Sequence, residues 1–269
     1  MAFFAQKPEK FVAEDRPPED LLDFFITVNE KLLLSKSSDP QVRSQRLHYY
    51  AAQLNRSGQA EEALIPAEEA VELRRLLVNN QPGLLPDLAE SLYVLSISYS
   101  NSEEGKEKNN VLALETIKEA VVHAENLLDE YDPYSYIRLG RFLNSYAIDL
   151  FRQKNVGKEE FISAFSVIET SEEKHRHVLT YFSSTRGFNM NNAKGELART
   201  LFTKGQIQRL LNEDAKAHAS FLESIQFKRE LVAQGPGATK ILWGWRWKMN
   251  LAADSPLAFR NLKNQSKKP

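Results

Sequence analysis

A recurring pair of amphipathic segments, separated by a short break, constrains the fold of this chain most strongly. Residues 39–57 place Leu47, Tyr50 and Leu54 along one helical face, and Gly58 interrupts that pattern. A second helical pattern follows over residues 61–78, with alanines at 63, 67 and 70. Since two helix axes approach closely only where the side chains between them are small, this stretch predicts a helical hairpin.

The hairpin pattern recurs along the chain. The signature Glu69-Ala70-Val71 returns as Glu119-Ala120-Val121, 50 residues later. The predicted repeats lie near 39–80, 86–131, 133–180 and 189–234. A single hairpin cannot bury its own apolar face, so the repeats are expected to stack into an all-α solenoid. An irregular helical bundle remains the alternative.

The two ends of the chain differ from the repeats. Residues 1–17 are predicted to be a disordered leader, and residues 18–37 a helix that caps the array. Residues 238–269 carry seven Lys or Arg against one Asp, a net charge of +6, and contain Trp243, Trp245 and Trp247. We interpret this basic, Trp-rich segment as a cap on the last repeat followed by a tail, which could weakly contact acidic surfaces.

The small and large positions of the first hairpin resemble the tetratricopeptide repeat. The residues that carry the resemblance are Leu47, Tyr50, Ala51, Leu54, Gly58, Glu62, Ala63, Ala67 and Ala70. Repeats two and four follow the same pattern, whereas repeat three has Phe161 near a position where the family prefers Ala. The stretch from 61 to 92 resembles the long-repeat, kinesin-light-chain-like arrays of fungal multidomain proteins. The resemblance implies a right-handed α-solenoid of about four hairpins that binds a protein or peptide partner.

Composition excludes several classes of function. The 269 residues include no cysteine, which excludes disulfides, thiol catalysis and zinc–thiolate sites and favours a reducing, cytoplasmic location. The net charge of -1 gives no strong signal for nucleic-acid binding. The most apolar run, residues 21–34, is interrupted by charges and is too short to span a membrane.

No motif of catalytic chemistry is present. The sequence lacks a phosphate-binding P-loop, a dinucleotide-binding Gly-x-Gly-x-x-Gly turn and a Gly-x-Ser-x-Gly elbow. His175 and His177 point about 200° apart on a helix, so they are unsuited to one metal ion and are predicted to lie at a solvated helix end. The sequence therefore predicts a binding protein without a cofactor or a metal, and not an enzyme.

The resemblance implies that the first helix of each repeat lines a concave groove. The predicted partner-binding residues are the exposed positions of those helices. They are Gln45, His48, Asn55 and Arg56 in repeat one; Tyr93 in repeat two; Arg141, Asn144, Phe151 and Arg152 in repeat three; and Arg199 and Phe202 in repeat four. Arg, Asn and Tyr side chains on a preformed surface can hold a peptide by charge-assisted hydrogen bonds.

Two alternatives to this groove remain open. One is a helical enzyme or small-molecule-binding protein, with a pocket between repeats three and four near Phe151, Arg199 and Phe202. The other is docking of the basic, Trp-rich C-terminal segment on an anionic membrane or on RNA.

Overall fold

The computed structural model describes residues 38–154, 156–185 and 188–234 of the chain. The leader at 1–17, the capping helix at 18–37 and the basic segment at 238–269 all lie outside these residues. The described part consists of eight α-helices and one short 3-10 turn, Pro82–Leu84. The helices are α1 (Pro40–Ser57), α2 (Ala60–Asn80), α3 (Leu85–Asn101), α4 (Lys106–Asn126), α5 (Pro133–Phe151), α6 (Lys158–Tyr181), α7 (Met190–Leu210) and α8 (Asp214–Ala233).

The ends of the first helix follow directly from its sequence. Asp39 caps α1, because its Oδ1 accepts hydrogen bonds from the backbone N–H groups of Gln41 at 2.8 Å and Val42 at 3.0 Å. Pro40 occupies the first turn, where its missing N–H removes no helical hydrogen bond. Gly58 ends the helix with φ of 81°, a left-handed conformation that glycine adopts without steric cost. Asp132 caps α5 in the same way as Asp39 caps α1.

The helices associate as four successive hairpins: α1 with α2, α3 with α4, α5 with α6, and α7 with α8. Small side chains lie where each pair crosses. In the first pair Ala51, Ala63 and Ala67 are buried, and in the second Ala113 and Ala120 are fully enclosed. These contacts confirm that alanines at helical spacing mark the lines of close approach.

The hairpins stack on one another in chain order. Each second helix packs against the first helix of the next pair, and the first helices also contact one another: α1 with α3, α3 with α5, and α5 with α7. A continuous apolar cluster runs from Ala51 through Leu92 and Ile117 to Leu143. The described residues therefore form an all-α stack of helical hairpins, which confirms the predicted fold class.

The third pair achieves its close approach differently from the others. Phe161 is half-buried, and Ala164, one turn later, is fully buried in the contact with α5. On α5, Gly140 lies directly against the imidazole of His175. The third hairpin therefore uses Gly140 and Ala164 as its small residues, which explains how the pair forms despite Phe161.

Candidate functional site

The candidate site is the face formed by the first helices α1, α3, α5 and α7, which contact one another in that order. Polar side chains link α1 to α3 and α3 to α5, and basic side chains continue onto α7. We describe these links from α1 towards α7, and we call the whole surface the first-helix face. Its predicted binding residues stay a prediction, since no ligand or partner is present.

The α1–α3 contact is held by Asn55. Its Nδ2 donates to the Ser98 hydroxyl at 2.8 Å and to the Val94 carbonyl at 3.3 Å. About two helical turns away along both helices, the Nδ1 atom of His48 lies 3.4 Å from the Ser91 hydroxyl. Burial, together with the nearby arginines at 74, 141 and 56, lowers the pKa of His48 to about 3. His48 is therefore a neutral hydrogen-bonding group and not a cation.

A carboxylate between two guanidinium groups links α3 to α5. Arg141 Nη2 donates to Glu90 Oε1 at 2.7 Å, and Arg138 Nε donates to the same oxygen at 3.2 Å. The guanidinium of Arg141 lies 4.7 Å above the ring of Tyr93, and that ring stacks on Phe142 at 4.8 Å. All three charged groups are only partly exposed, so their attraction is less screened than at an open surface.

A second polar link joins the C-terminal ends of α3 and α5. The Ser100 hydroxyl donates to Asp149 Oδ1 at 2.8 Å and accepts from Arg152 Nη1 at 2.8 Å. Burial lowers the pKa of the Arg152 guanidinium, although the carboxylates of Asp149 and Glu103 oppose that effect. Together with the ion pairs of Glu90 with Arg138 and Arg141, this link holds the two helices at both ends of their contact.

Basic side chains continue onto the fourth pair. Arg199 Nη2 donates to Glu196 Oε1 at 3.1 Å within α7. The Lys228 ammonium of α8 lies 5.0 Å from the centre of the Phe202 ring. Burial, with a smaller contribution from Arg199, lowers the pKa of Lys228 to about 8.

The predicted binding residues divide into three groups by exposure. Gln45 and Arg56 are exposed, as predicted from the helical pattern. Six are half-buried: His48, Arg141, Phe151, Arg152, Arg199 and Phe202. The remaining three were predicted to be exposed, and that prediction is wrong: Asn55, Tyr93 and Asn144 are buried.

Each of the three buried residues has its own physical reason. Asn55 is enclosed because its amide bonds to α3, and Tyr93 because its ring is covered by Arg141 and Phe142. Asn144 is fully enclosed, yet neither its Nδ2 nor its Oδ1 has a hydrogen-bond partner among the residues that the structure describes. Such a group costs about 1–3 kcal/mol. Asn55 Oδ1 and Arg141 Nε are also without a hydrogen-bond partner among the described residues, but Asn144 is the predicted residue in which both side-chain polar atoms are unpaired.

The predicted position of His175 at a solvated helix end is also wrong. His175 is fully buried between α5, α6 and α7, where its Nδ1 lies 3.2 Å from the Thr200 hydroxyl. Thr200 in turn contacts Ser171 at 3.1 Å, and Ser171 donates to the Gly140 carbonyl at 2.7 Å. The small residues Gly140, Ser171 and Thr200 were the sequence signal for this contact, which the apolar pattern alone did not reveal.

The structure does not assemble Phe151, Arg199 and Phe202 around one pocket. Phe151 packs with Ala147, Ala164 and Ile168, whereas Phe202 packs on Phe221 of α8 at 5.4 Å. A depression of about 580 Å³ lies elsewhere, beside α6, and is wide open to solvent. None of the three predicted residues lines it.

Two further features of the described residues bear on the classes of function. In residues 38–154, 156–185 and 188–234, no group of three or more His, Asp and Glu side chains is placed to hold a metal ion. No helix within this part of the chain combines the length and the apolar character needed to cross a bilayer.

Comparisons with known proteins give matches among solved structures alone. No family model and no curated protein matches the sequence. Among solved structures, the crystal structure of MamA is 16% identical to this chain, covers 64% of it and 95% of the MamA chain, and has a TM-score of 0.20. A similarity at this TM-score carries no argument about what the chain does.

Proposed function

We propose that this chain is a scaffold that binds an extended peptide, or an extended segment of a partner protein, along its first-helix face. The observation that carries the proposal is the series of polar links between adjacent first helices. They run from Asn55 and Ser98, through Glu90 and Arg141, to Ser100 and Arg152. These links hold arginine side chains in defined positions before any partner arrives.

A surface of this kind favours binding because its own side chains lose little conformational entropy when a partner binds. The side chains of Arg141 and Arg152 already have fixed contacts, so a partner carboxylate or carbonyl meets preorganised donors. The side chain of Arg141 is 27% exposed and lies over the ring of Tyr93. Its planar fork of donors suits carboxylates and main-chain oxygens.

The proposal can be tested with peptides selected from a random display library against the full chain. We expect the selected peptides to lose about tenfold or more in affinity to the double variant Arg141→Ala/Arg152→Ala, because charge-assisted hydrogen bonds at a partly buried site are lost. The matched control is Arg75→Ala/Arg229→Ala, which removes two exposed arginines from second helices. Equal affinity of both double variants and the wild type would exclude the first-helix face as the binding surface.

Several finer aspects of the function rest on the sequence alone. The resemblance to the long-repeat, kinesin-light-chain-like arrays of fungal proteins supports the scaffold role. The absence of cysteine is consistent with work in the cytoplasm, and the absence of catalytic motifs with a role in binding and not in catalysis. Division of the chain into repeats near 39–80, 86–131, 133–180 and 189–234 is part of the same proposal.

A further inference from the structure

A second surface, on α6, has a chemistry different from that of the first-helix face. The open depression of about 580 Å³ extends along this helix, from Glu169 and Glu173 to His177 and Tyr181, with Lys204 of α7 on its other side. It shares no residue with the predicted binding set. The surface is centred on α6, the second helix of its pair, and Lys204 of the first helix α7 borders it.

The cations of this depression are neutralised by carboxylates around them. Arg176 donates to Glu172 at 2.7 Å and to Glu223 at 2.7 Å. Lys204 donates to Glu172 at 2.9 Å. The described lining holds three carboxylates, those of Glu169, Glu172 and Glu173, against the two cations Arg176 and Lys204, so it carries one excess negative charge.

Glu169 and Glu173 are open to an incoming group. Their side chains are 53% and 72% exposed, and they lie one helical turn apart. Each has one lysine contact, Glu169 with Lys204 at 3.4 Å and Glu173 with Lys174 at 3.2 Å. Ion pairs at this exposure contribute little, so a better-placed cation can replace them at small cost.

A ladder of three aromatic rings closes the other end of the depression. The ring of Tyr136 on α5 stacks on His177 at 4.4 Å, and His177 contacts Tyr181 at 4.4 Å. Tyr181 is 70% exposed, although it is supported from below by His177. A supported aromatic ring offers a large contact area with little loss of side-chain entropy, and its face attracts guanidinium and ammonium groups.

We propose that this α6 surface, formed by Glu169, Glu173, His177 and Tyr181, binds a basic peptide segment. One Arg or Lys of the segment lies over the face of Tyr181, and another pairs with the Glu173 carboxylate. An acidic or phosphorylated ligand would face the excess carboxylates instead, so the charge of the surface selects against it.

The spacing along α6 predicts the spacing within the peptide. Glu173 and Tyr181 are eight residues apart, which corresponds to about 12 Å along a helix. An extended peptide advances roughly 3.3 Å per residue, so its two cations are expected about three to four positions apart. Binding at this surface does not depend on the peptide proposed for the first-helix face, so the two binding surfaces can be tested separately.

The experiment measures binding of a labelled Gly/Ser peptide that carries two arginines four positions apart, by fluorescence anisotropy with the full chain. We expect Glu169→Gln/Glu173→Gln to weaken binding about tenfold, and Tyr181→Ala about threefold or more, because an ion pair and a cation–π contact are lost. Tyr181→Phe is expected to retain the wild-type affinity, since the ring and not the hydroxyl makes the contact.

Two controls separate this surface from general attraction between opposite charges. Glu72→Gln/Glu125→Gln removes the same charge from exposed positions on α2 and α4 and is expected to leave the affinity unchanged. Arg141→Ala/Arg152→Ala should also leave it unchanged, because those residues lie on the first-helix face. Absence of binding at millimolar peptide, an equal loss in the Glu72/Glu125 control, or full affinity in Tyr181→Ala would each overturn the proposal.

Discussion

Gly140 lies so close to His175 that no side chain fits between them. A Cβ atom placed on Gly140 would lie 2.5 Å from the Nε2 atom of His175 and 2.7 Å from its Cε1 atom. The imidazole is buried and tied to Thr200, so it cannot swing away freely. This contact sets the separation between the two helices of the third hairpin.

The first prediction concerns this contact. Gly140→Ala is expected to lower the free energy of unfolding by about 1–3 kcal/mol, because the added methyl group overpacks a rigid contact. Gly83→Ala is the control, since nothing lies within 4 Å of a Cβ at that position. Urea denaturation of both variants measures the difference, and equal stability of the two would show that the His175 ring can move aside.

The same helix-crossing geometry predicts a second effect in the fourth hairpin. A Cβ on Gly205 would lie 2.6 Å from Cε1 of Phe221, so Gly205→Ala is also expected to destabilise the fold. Replacing Phe221 with Leu in the Gly205→Ala background should recover part of the loss, because the smaller side chain makes room. A double-mutant cycle measures this coupling, and additive effects of the two substitutions would contradict it.

The buried His175 predicts a dependence of stability on pH. Burial lowers its pKa from 6.5 to about 4, so the folded state keeps the ring neutral while the unfolded state takes up a proton. The stability that the neutral His175 gives to the folded state is therefore fully present above pH 6.5, and it is lost as the pH falls from 6.5 towards 4. The expected slope from this group is about 1.4 kcal/mol per pH unit.

This pH dependence can be assigned by substitution. His175→Gln is expected to reduce the slope of the unfolding free energy below pH 6.5 by about 1.4 kcal/mol per pH unit, and the lowered pKa of His48 contributes to the slope that remains. The facing charged groups Glu196, Arg199 and Arg141 are retained in this variant. If the variant keeps the wild-type slope, His175 does not titrate in the proposed way.

Glu90 provides a prediction for the link between α3 and α5. Glu90→Gln removes the charge that Arg138 and Arg141 share and is expected to cost about 1–3 kcal/mol, since it leaves two partly buried cations side by side. Glu69→Gln, which breaks the more exposed pair with Arg43, is expected to cost less than about 1 kcal/mol. Thermal and urea unfolding can rank the two variants, and a reversed order would contradict the account of this cluster.

The sequence was sufficient to predict the helical hairpins. The segment predicted over residues 39–57 forms α1, Pro40–Ser57, and Gly58 ends it as expected. Helix breaks and apolar periodicity are local properties, so they can be read without knowing the neighbouring repeat. The prediction that Phe161 weakens the third repeat missed Gly140, because close approach depends on the opposite helix as well.

The sequence was less informative about polar residues in the contacts between helices. Asn55 looks like an exposed position on its own helix, but it bonds to Ser98 on a helix that begins 30 residues later. His175 was misplaced for the same reason, since it is buried against Thr200 of α7. Helical periodicity identifies a face, whereas the partner across that face is a property of the assembled stack.

The central claim, that the first-helix face binds a peptide, is tested most directly by amide hydrogen exchange with and without a library-selected peptide. Bound peptide is expected to slow exchange in first helices, above all in α3 around Tyr93 and in α5 around Arg141 and Arg152. Protection confined to the second helices α2, α4, α6 and α8, with no change in α3 and α5, would contradict it.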